Sequence, residues 1–450
     1  MKGVIIIELA LYFIIILSIS LLYKKSNNLR EFSISNRALL APAIAAGLVT
    51  THYGGGFILG GAELGYKYGL YGLVYAGSSA LGVLLLGIFI SKRIFKLNEK
   101  KELRTIPALL FHSFKDRKLS NLAAGLSIVS MVIIAAGQLF AVMCLLSAMG
   151  LPAVPFTFLV TLVISIITSK GLSAVVRMSK LNISIVSITV FIVFLIAVGS
   201  SPNIESQNHN LVYPSFLGLL GLSLPVILYT LIGQDFHQKL FSAKNYQTAK
   251  NGSIAAAIIL LVAGFFPVYI GMKSSSLFDI SPSEAMPYFI ISNVPLLFKG
   301  FIIAAILTAV IGSAQALISA AASHLAEDFL KPTKRFKDQG IRKYSSTFAF
   351  MAPFVALVIA LFAKELIGIL ILAYTLYIAG MFVPVMTSLY LKAPQRINGR
   401  MFYISIIGLT TALIFETHLI KSVIHPLIIS IMLSVFVLLA ISNKGAKKGI

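Results

Sequence analysis

Tryptophan is absent from the 450 residues, cysteine occurs once, and aspartate and glutamate together number only 15. Each shortage excludes something. A lone Cys144 has no intrachain disulfide partner, and its place inside an apolar stretch gives it a packing role. The carboxylates lie in loops or at the ends of apolar runs, with Asp235 and Asp328 at one side and Glu8 and Glu63 at the other. His209, His237, His324, His418 and His425 are scattered without metal-ligand spacing. No nucleophile, metal cluster or carboxylate pair is therefore available for an enzyme site, and no metal other than sodium is expected. No filter motif or repeated charged ring suggests a channel. No folded basic domain exists to carry the net charge of +22 onto nucleic acid. Without tryptophan, the 17 tyrosines take over the membrane-interface role.

What the sequence does have is apolar residues, 58% of the total, with a mean hydropathy of +0.93. They fall into runs separated by short basic loops. About 20 residues at ~1.5 Å each cross ~30 Å of hydrocarbon, and runs such as 4–23, 183–199 and 427–441 have roughly that length. The first resembles a signal peptide only superficially: it carries Glu8, lacks a small-residue cleavage site and is followed by Lys24, Lys25 and Arg30. It is expected to be a span. Reading runs against their breakers gives spans near 4–23, 38–60, 69–91, 121–149, 153–169, 174–199, 215–233, 249–272, 297–326, 346–363, 366–391, 402–416 and 423–442, thirteen in all. The segments 24–37, 92–118, 170–180, 239–250, 331–343, 392–400 and 444–448 then share one side and hold 31 of the 37 lysines and arginines. The opposite loops carry Glu205, Asp279 and Glu284. The positive-inside rule accordingly puts the N-terminus outside and the C-terminus in the cytoplasm. The many Lys, Asn and Ile residues suggest an AT-rich bacterial genome, hence a bacterial cytoplasmic (inner) membrane.

Helix interruptions at membrane depth expose backbone groups that can bind ions and solutes. The second run contains Thr50-Thr51-His52-Tyr53-Gly54-Gly55-Gly56, where continuous helix is costly. Close helix packing by small residues is the other reading, although packing does not require histidine. The seventh run carries Pro225 followed by Tyr229 and Thr230, a second candidate interruption. The two lie five spans apart. An odd number puts two five-span units in opposite orientations, the inverted-repeat plan of many secondary transporters, with the binding site between them.

The residues around these points resemble those of the sodium:solute symporter family. Glu31-Phe32-Ser33-Ile34-Ser35-Asn36-Arg37 precedes the broken run, and Phe57-Ile58-Leu59-Gly60 with Tyr66 and Gly69 follows it. Lys170-Gly171-Leu172-Ser173-Ala174-Val175-Val176 is similar to the segment opening the family's fifth core helix. Gln234-Asp235-Phe236-His237-Gln238-Lys239-Leu240-Phe241-Ser242-Ala243-Lys244, with Ala249 and Lys250, is the most specific match. The resemblance implies an all-α, LeuT-type fold as one transmembrane domain: an extra N-terminal helix at 4–23, a first repeat at 38–199, an inverted second repeat at 215–391 and extra C-terminal helices at 402–442. It also implies transport of a small solute such as a sugar, amino acid or carboxylate.

The resemblance further implies a sodium ion between the first and eighth core helices. Its carbonyl ligands fall at Val49, His52 and Ala309, and its hydroxyl positions at Gly312 and Ser313. Gly312 lacks the hydroxyl, so another donor or water is required. Ser179 stands where the family usually has an aspartate, and Gln315 and Ala316 depart from an accessory sodium site. His52 or Lys180 could partly replace sodium, which keeps a proton-coupled or uncoupled transporter open. The solute is expected to face Thr50, Thr51, Tyr53, Gly54, Gly55, Gly56, Gln138 and Tyr229, all neutral. The amides of Gly54 to Gly56 could hold a carboxylate, and Gln138 and Tyr229 could equally be interhelical hydrogen-bond partners. The partners are thus a solute, sodium or protons, and the bilayer, with no cofactor. A membrane sensor is the remaining alternative, and it would need a separate signalling partner.

Overall fold

The structure, a computed structural model, describes residues 2–98, 103–200, 213–391, 394–397, 399–416 and 425–446. Glu205 and His209 in the loop near 200–214, the stretch 417–424 with His418, and Lys447 and Lys448 lie outside the described residues. Among the described residues the chain is helical and has no strand. Leu39 and Ala243 form an isolated parallel bridge.

The first long helix, α1, runs Lys2–Leu22. An interrupted helix follows, α2 at Ala41–His52 and α3 at Gly55–Tyr68. The chain reverses through Gly69–Gly72, where Gly69 takes a positive φ of 60° and a side chain on Gly72 would sit 2.9 Å from the Gly65 nitrogen. It then enters α4, Leu73–Leu85, prolonged through a π-turn at Leu86–Ile90 into Ser91–Asn98. Next come α5 at Arg117–Ala148, α6 at Ala153–Ser169 and α7 at Leu172–Gly199. A second interrupted helix, α8 at Phe216–Ile232 and α9 at Gln234–Ser242, is again followed by four helices. These are α10 at Tyr246–Leu277, α11 at Leu296–His324, α12 at Asp338–Leu361 and α13 at Leu366–Tyr390. Helices α14, Arg400–Glu416, and α15, Pro426–Ala446, pack outside α13.

Nine helices among the described residues are long and apolar enough to cross a membrane, and two shorter apolar ones join them. Their outward faces are apolar too, as at Ile7, Leu11, Ile14 and Ile15 on α1 and Ile188, Ile192 and Leu195 on α7. Large side chains recurring at helical spacing on an exposed face fit hydrocarbon rather than water. The chain is an integral membrane protein.

Helix α11 is the most deeply buried, packed on α1, α2, α5 and α7. Two buried charged side chains, Glu8 and Lys170, are tied to backbone. Glu8 accepts from the Gly300 amide at 2.8 Å and so acts as an interhelical bond, beyond its expected place near a span end. Lys170 sends its ammonium to the carbonyls of Ser20, Leu21 and Tyr23 at 2.6 to 2.8 Å. The last carbonyls of α1 have no intrahelical donors, and a cation there also suits the helix dipole.

Candidate functional site

The first interruption is short. Helix α2 stops at His52, with the Tyr53 amide on Val49 O at 2.7 Å and the Gly54 amide on His52 O at 2.8 Å. The backbone then extends through Gly54, at φ −114° and ψ −157°, before α3 begins. Glycine is needed at 54 for a packing reason. A Cβ there would collide with Gln138 Oε1 on α5 and lie 2.6 Å from Ser313 Cβ on α11. The Gly55 amide donates to Gln138 Oε1 at 2.7 Å. The half-helix amide offered to a carboxylate by the sequence reading is therefore already capped by a side chain, because an N-terminal amide buried without a partner is costly. Tyr53, beside this cap, buries its hydroxyl without a hydrogen bond.

Three helices meet on the α11 side of the interruption. Ser313 Oγ donates to Thr51 O at 2.9 Å. Gly312 faces Thr50, whose methyl would collide with any Cβ at 312, and Asn182 of α7, whose Nδ2 would be 2.7 Å from it. Thr50 Oγ1 donates to Ala46 O at 2.6 Å and reaches Ser179 O at 3.4 Å. Ala309 is buried one turn before Ser313. Thr50, Thr51, Ser179, Asn182, Gly312 and Ser313 thus lie around one locus, with Val49 and His52 adjoining these residues in sequence and Ala309 one turn away. Lys180 lies off this locus: it is exposed, because the residue after buried Ser179 is turned ~100° around the helix. It is not a substitute at this position.

His52 turns the other way. Its ring lies 4.6 Å from that of Phe236, and its Nε2 is 3.2 Å from Thr230 Oγ1. Those residues flank the second interruption, which does not occur where Pro225 suggested. Helix α8 continues through Pro225 and breaks at Gly233, with φ −65° and ψ 130°. The Gly233 amide closes α8 on Tyr229 O at 2.6 Å, and its carbonyl opens α9 by accepting from the His237 amide at 3.1 Å. Pro225 removes one intrahelical donor inside α8 without ending the helix.

Helix α9 was the least legible element. Its residues, read from sequence as a loop and a span end, are all buried, including Asp235, His237 and Lys239. Lys239 lays its methylenes on Gly47, where a Cβ would be 3.0 Å from Cγ, and donates to Asp235 O at 2.8 Å. Asp235 stands beside Tyr229, and neither its Oδ1 nor the Tyr229 phenol completes a hydrogen bond of good geometry. Tyr229 in turn packs on Tyr374 at 4.5 Å and Tyr377 at 5.7 Å. Two interruptions side by side, lined by phenols, hydroxyls and an imidazole, form a hydrogen-bonding locus between the helix halves.

The model of the sodium:solute symporter family matches residues 32–408. The chain belongs to the sodium:solute symporter family. That membership places it among membrane transporters rather than enzymes. Among solved structures it is similar to a sodium-coupled sialic acid symporter in a substrate-bound, outward-open state. The TM-score is 0.78 at 15% identity, over 99% of this chain and 96% of that one. It is also similar to a nucleobase-cation-symport-1 family transporter in a closed conformation with bromovinylhydantoin bound. There the TM-score is 0.62 at 12% identity, over 92% and 95% of the two chains. These identities establish the fold, which is LeuT-like. No curated protein matches the sequence.

In this family member the two ends of the bundle differ. The end bearing the basic loops is closed by a polar network. Arg104 pairs with Glu327 at 2.7 Å, and Asp328 takes Thr105 Oγ1 and His324 Nδ1 at 2.7 Å each. His324 Nε2 is 2.9 Å from Ser127 Oγ, and Gln238 of α9 donates to Ser323 Oγ at 2.7 Å. At the opposite end two cavities, of about 260 and 530 Å³, share Glu63, Lys67 and Glu365 in their walls. Cys144 lines the smaller. Beneath them Leu370 of α13 closes on Gly56 and Gly137, where a Cβ would be 2.5 and 2.8 Å from its methyls.

Proposed function

We propose that the chain imports a small polar organic solute, uncharged or zwitterionic and of the sugar or amino-acid class, coupled to sodium by alternating access. The observation that carries this is the convergence of the interrupted helix with α11 at Thr51 O and Ser313 Oγ, adjoining a second interruption lined by uncharged donors and acceptors. The ion's place is the locus of Val49, His52, Ala309 and Ser313. The solute lies between Tyr53, Gln138, Thr230 and Tyr229. Carbonyls of Val49 and His52 each accept one hydrogen bond and keep a second lone pair. A simple carboxylate would have to displace Gln138 from the Gly55 amide. The finer architecture in this reading is thirteen crossings, with repeats at 38–199 and 215–391 inverted about the site and helices 4–23 and 402–442 outside them. The N-terminus is external and the C-terminus cytoplasmic in a bacterial inner membrane. The present state is then closed to the cytoplasm and vestibuled toward the exterior.

Thermal melting of the purified protein against sugars and amino acids, in sodium and in potassium, tests the proposal. A ligand of the folded state raises stability by RT ln(1 + [L]/Kd). The reading expects a solute-induced rise in sodium that is absent in potassium. An equal rise in both cations contradicts sodium coupling and favours the proton-coupled alternative through His52.

A further inference from the structure

Gly312 leaves the ion locus one hydroxyl short, and the structure holds a group in that space. Asn182 of α7 is 1% exposed, yet neither its Oδ1 nor its Nδ2 makes a hydrogen bond. Buried carboxamides are almost always paired, since leaving one bare is costly. Its terminal group lies against Gly312, with Nδ2 2.7 Å and Cγ 3.6 Å from the point a Cβ on 312 would occupy. A serine side chain at 312 would fill the position this carboxamide fills. The two ends of a carboxamide exchange by a half-turn, so the oxygen can face the locus. Around it stand Thr50, Ser313 Oγ on Thr51 O, and the Ser179 carbonyl.

We infer that Asn182 supplies the oxygen ligand that Gly312 cannot, so that the monovalent cation site is built across α2, α7 and α11 with a carboxamide in place of a hydroxyl. The inference rests on the sodium reading above. Carboxamide oxygens suit hard cations, and the bare group gains its partner only when the ion arrives. Gly312 then follows from Asn182: a side chain at 312 would drive into both Asn182 and the Thr50 methyl.

Sodium titrations of the melting temperature of the full-length protein, with potassium balancing ionic strength, test this without any solute. Asn182→Leu is expected to raise the half-saturating sodium concentration by roughly tenfold or more. Its melting temperature in potassium should not fall, because no hydrogen bond is lost. Asn182→Asp, which adds ligand charge, is expected to lower that concentration by about threefold or more. A wild-type titration curve in Asn182→Leu overturns the inference while leaving sodium coupling intact. If the leucine variant does not fold, an aspartate variant with an unchanged half-saturating concentration overturns it. A wild-type protein that melts identically in both cations overturns the sodium reading and the inference together.

Discussion

Gly54 and Gly77 separate two uses of glycine within the same bundle. Gly54 has Gln138 and Ser313 at its back, whereas nothing lies within 4 Å of a Cβ on Gly77 in α4. Gly54→Ala should destabilise by about 1–3 kcal/mol, because the collision is between packed helices, and should abolish solute-dependent stabilisation. Gly77→Ala should be neutral or stabilise by up to about 1 kcal/mol, the helix-propensity gain. Melting of the two variants side by side checks the contrast, and equal losses would contradict it. The triple glycine at 54–56 was legible in the sequence because consecutive glycines with His52 and Tyr53 make no sense in a plain span. Asn182 was not. Which polar residue of a long helix faces α11 depends on how the helices are rotated against one another, and local pattern does not encode that. Lys180 was misplaced for the same reason, being one residue from the face that matters.

Among elements, α9 holds the basic-loop end together. Gln234 accepts from the Ile106 amide at 2.9 Å, and Gln238 donates to Ser33 O at 3.0 Å, so a nine-residue helix joins three separate segments. Hydropathy concealed this. Its charges and amides read as loop because their burial depends on partners distant in sequence, and Pro225 drew attention away from the single-residue break at Gly233. The long apolar helices, by contrast, were visible from composition, since lipid-facing and protein-facing sides are both apolar there. Glu327 is a second tie at this end, taking Arg104, Lys331 and Ser33. Glu327→Gln removes the charge from these bonds, each worth roughly 1.5–3 kcal/mol when charge-assisted. The equilibrium should shift away from the closed basic-loop end. Cys144, in the cavity at the other end, should then react more slowly with a maleimide, by up to roughly tenfold; an unchanged rate would remove Glu327 from the lock.

Across the whole molecule, the charge asymmetry and the position of the polar network agree. The face holding most of the 37 basic residues is the face the polar network ties together, and the two cavities walled by α3 open at the other. A further cavity of about 600 Å³ on the basic face is lined by Lys25, Phe32, Lys170 and Arg342 and by no residue of either interruption. Under the proposed orientation the described state faces outward. It is also the state in which α2 and α11 touch at Thr51 and Ser313. A ligand can shift an equilibrium only by its preference for one state, and an ion bound at the site proposed between α2, α7 and α11 would favour this one. Cys144 is a native reporter, because it is the sole cysteine and lines the vestibule. The decisive measurement is its modification rate by a membrane-impermeant maleimide applied outside intact cells, in sodium and in potassium. The account predicts labelling from outside, faster in sodium. Labelling only after the cytoplasmic face is exposed, or equal rates in the two cations, would contradict it.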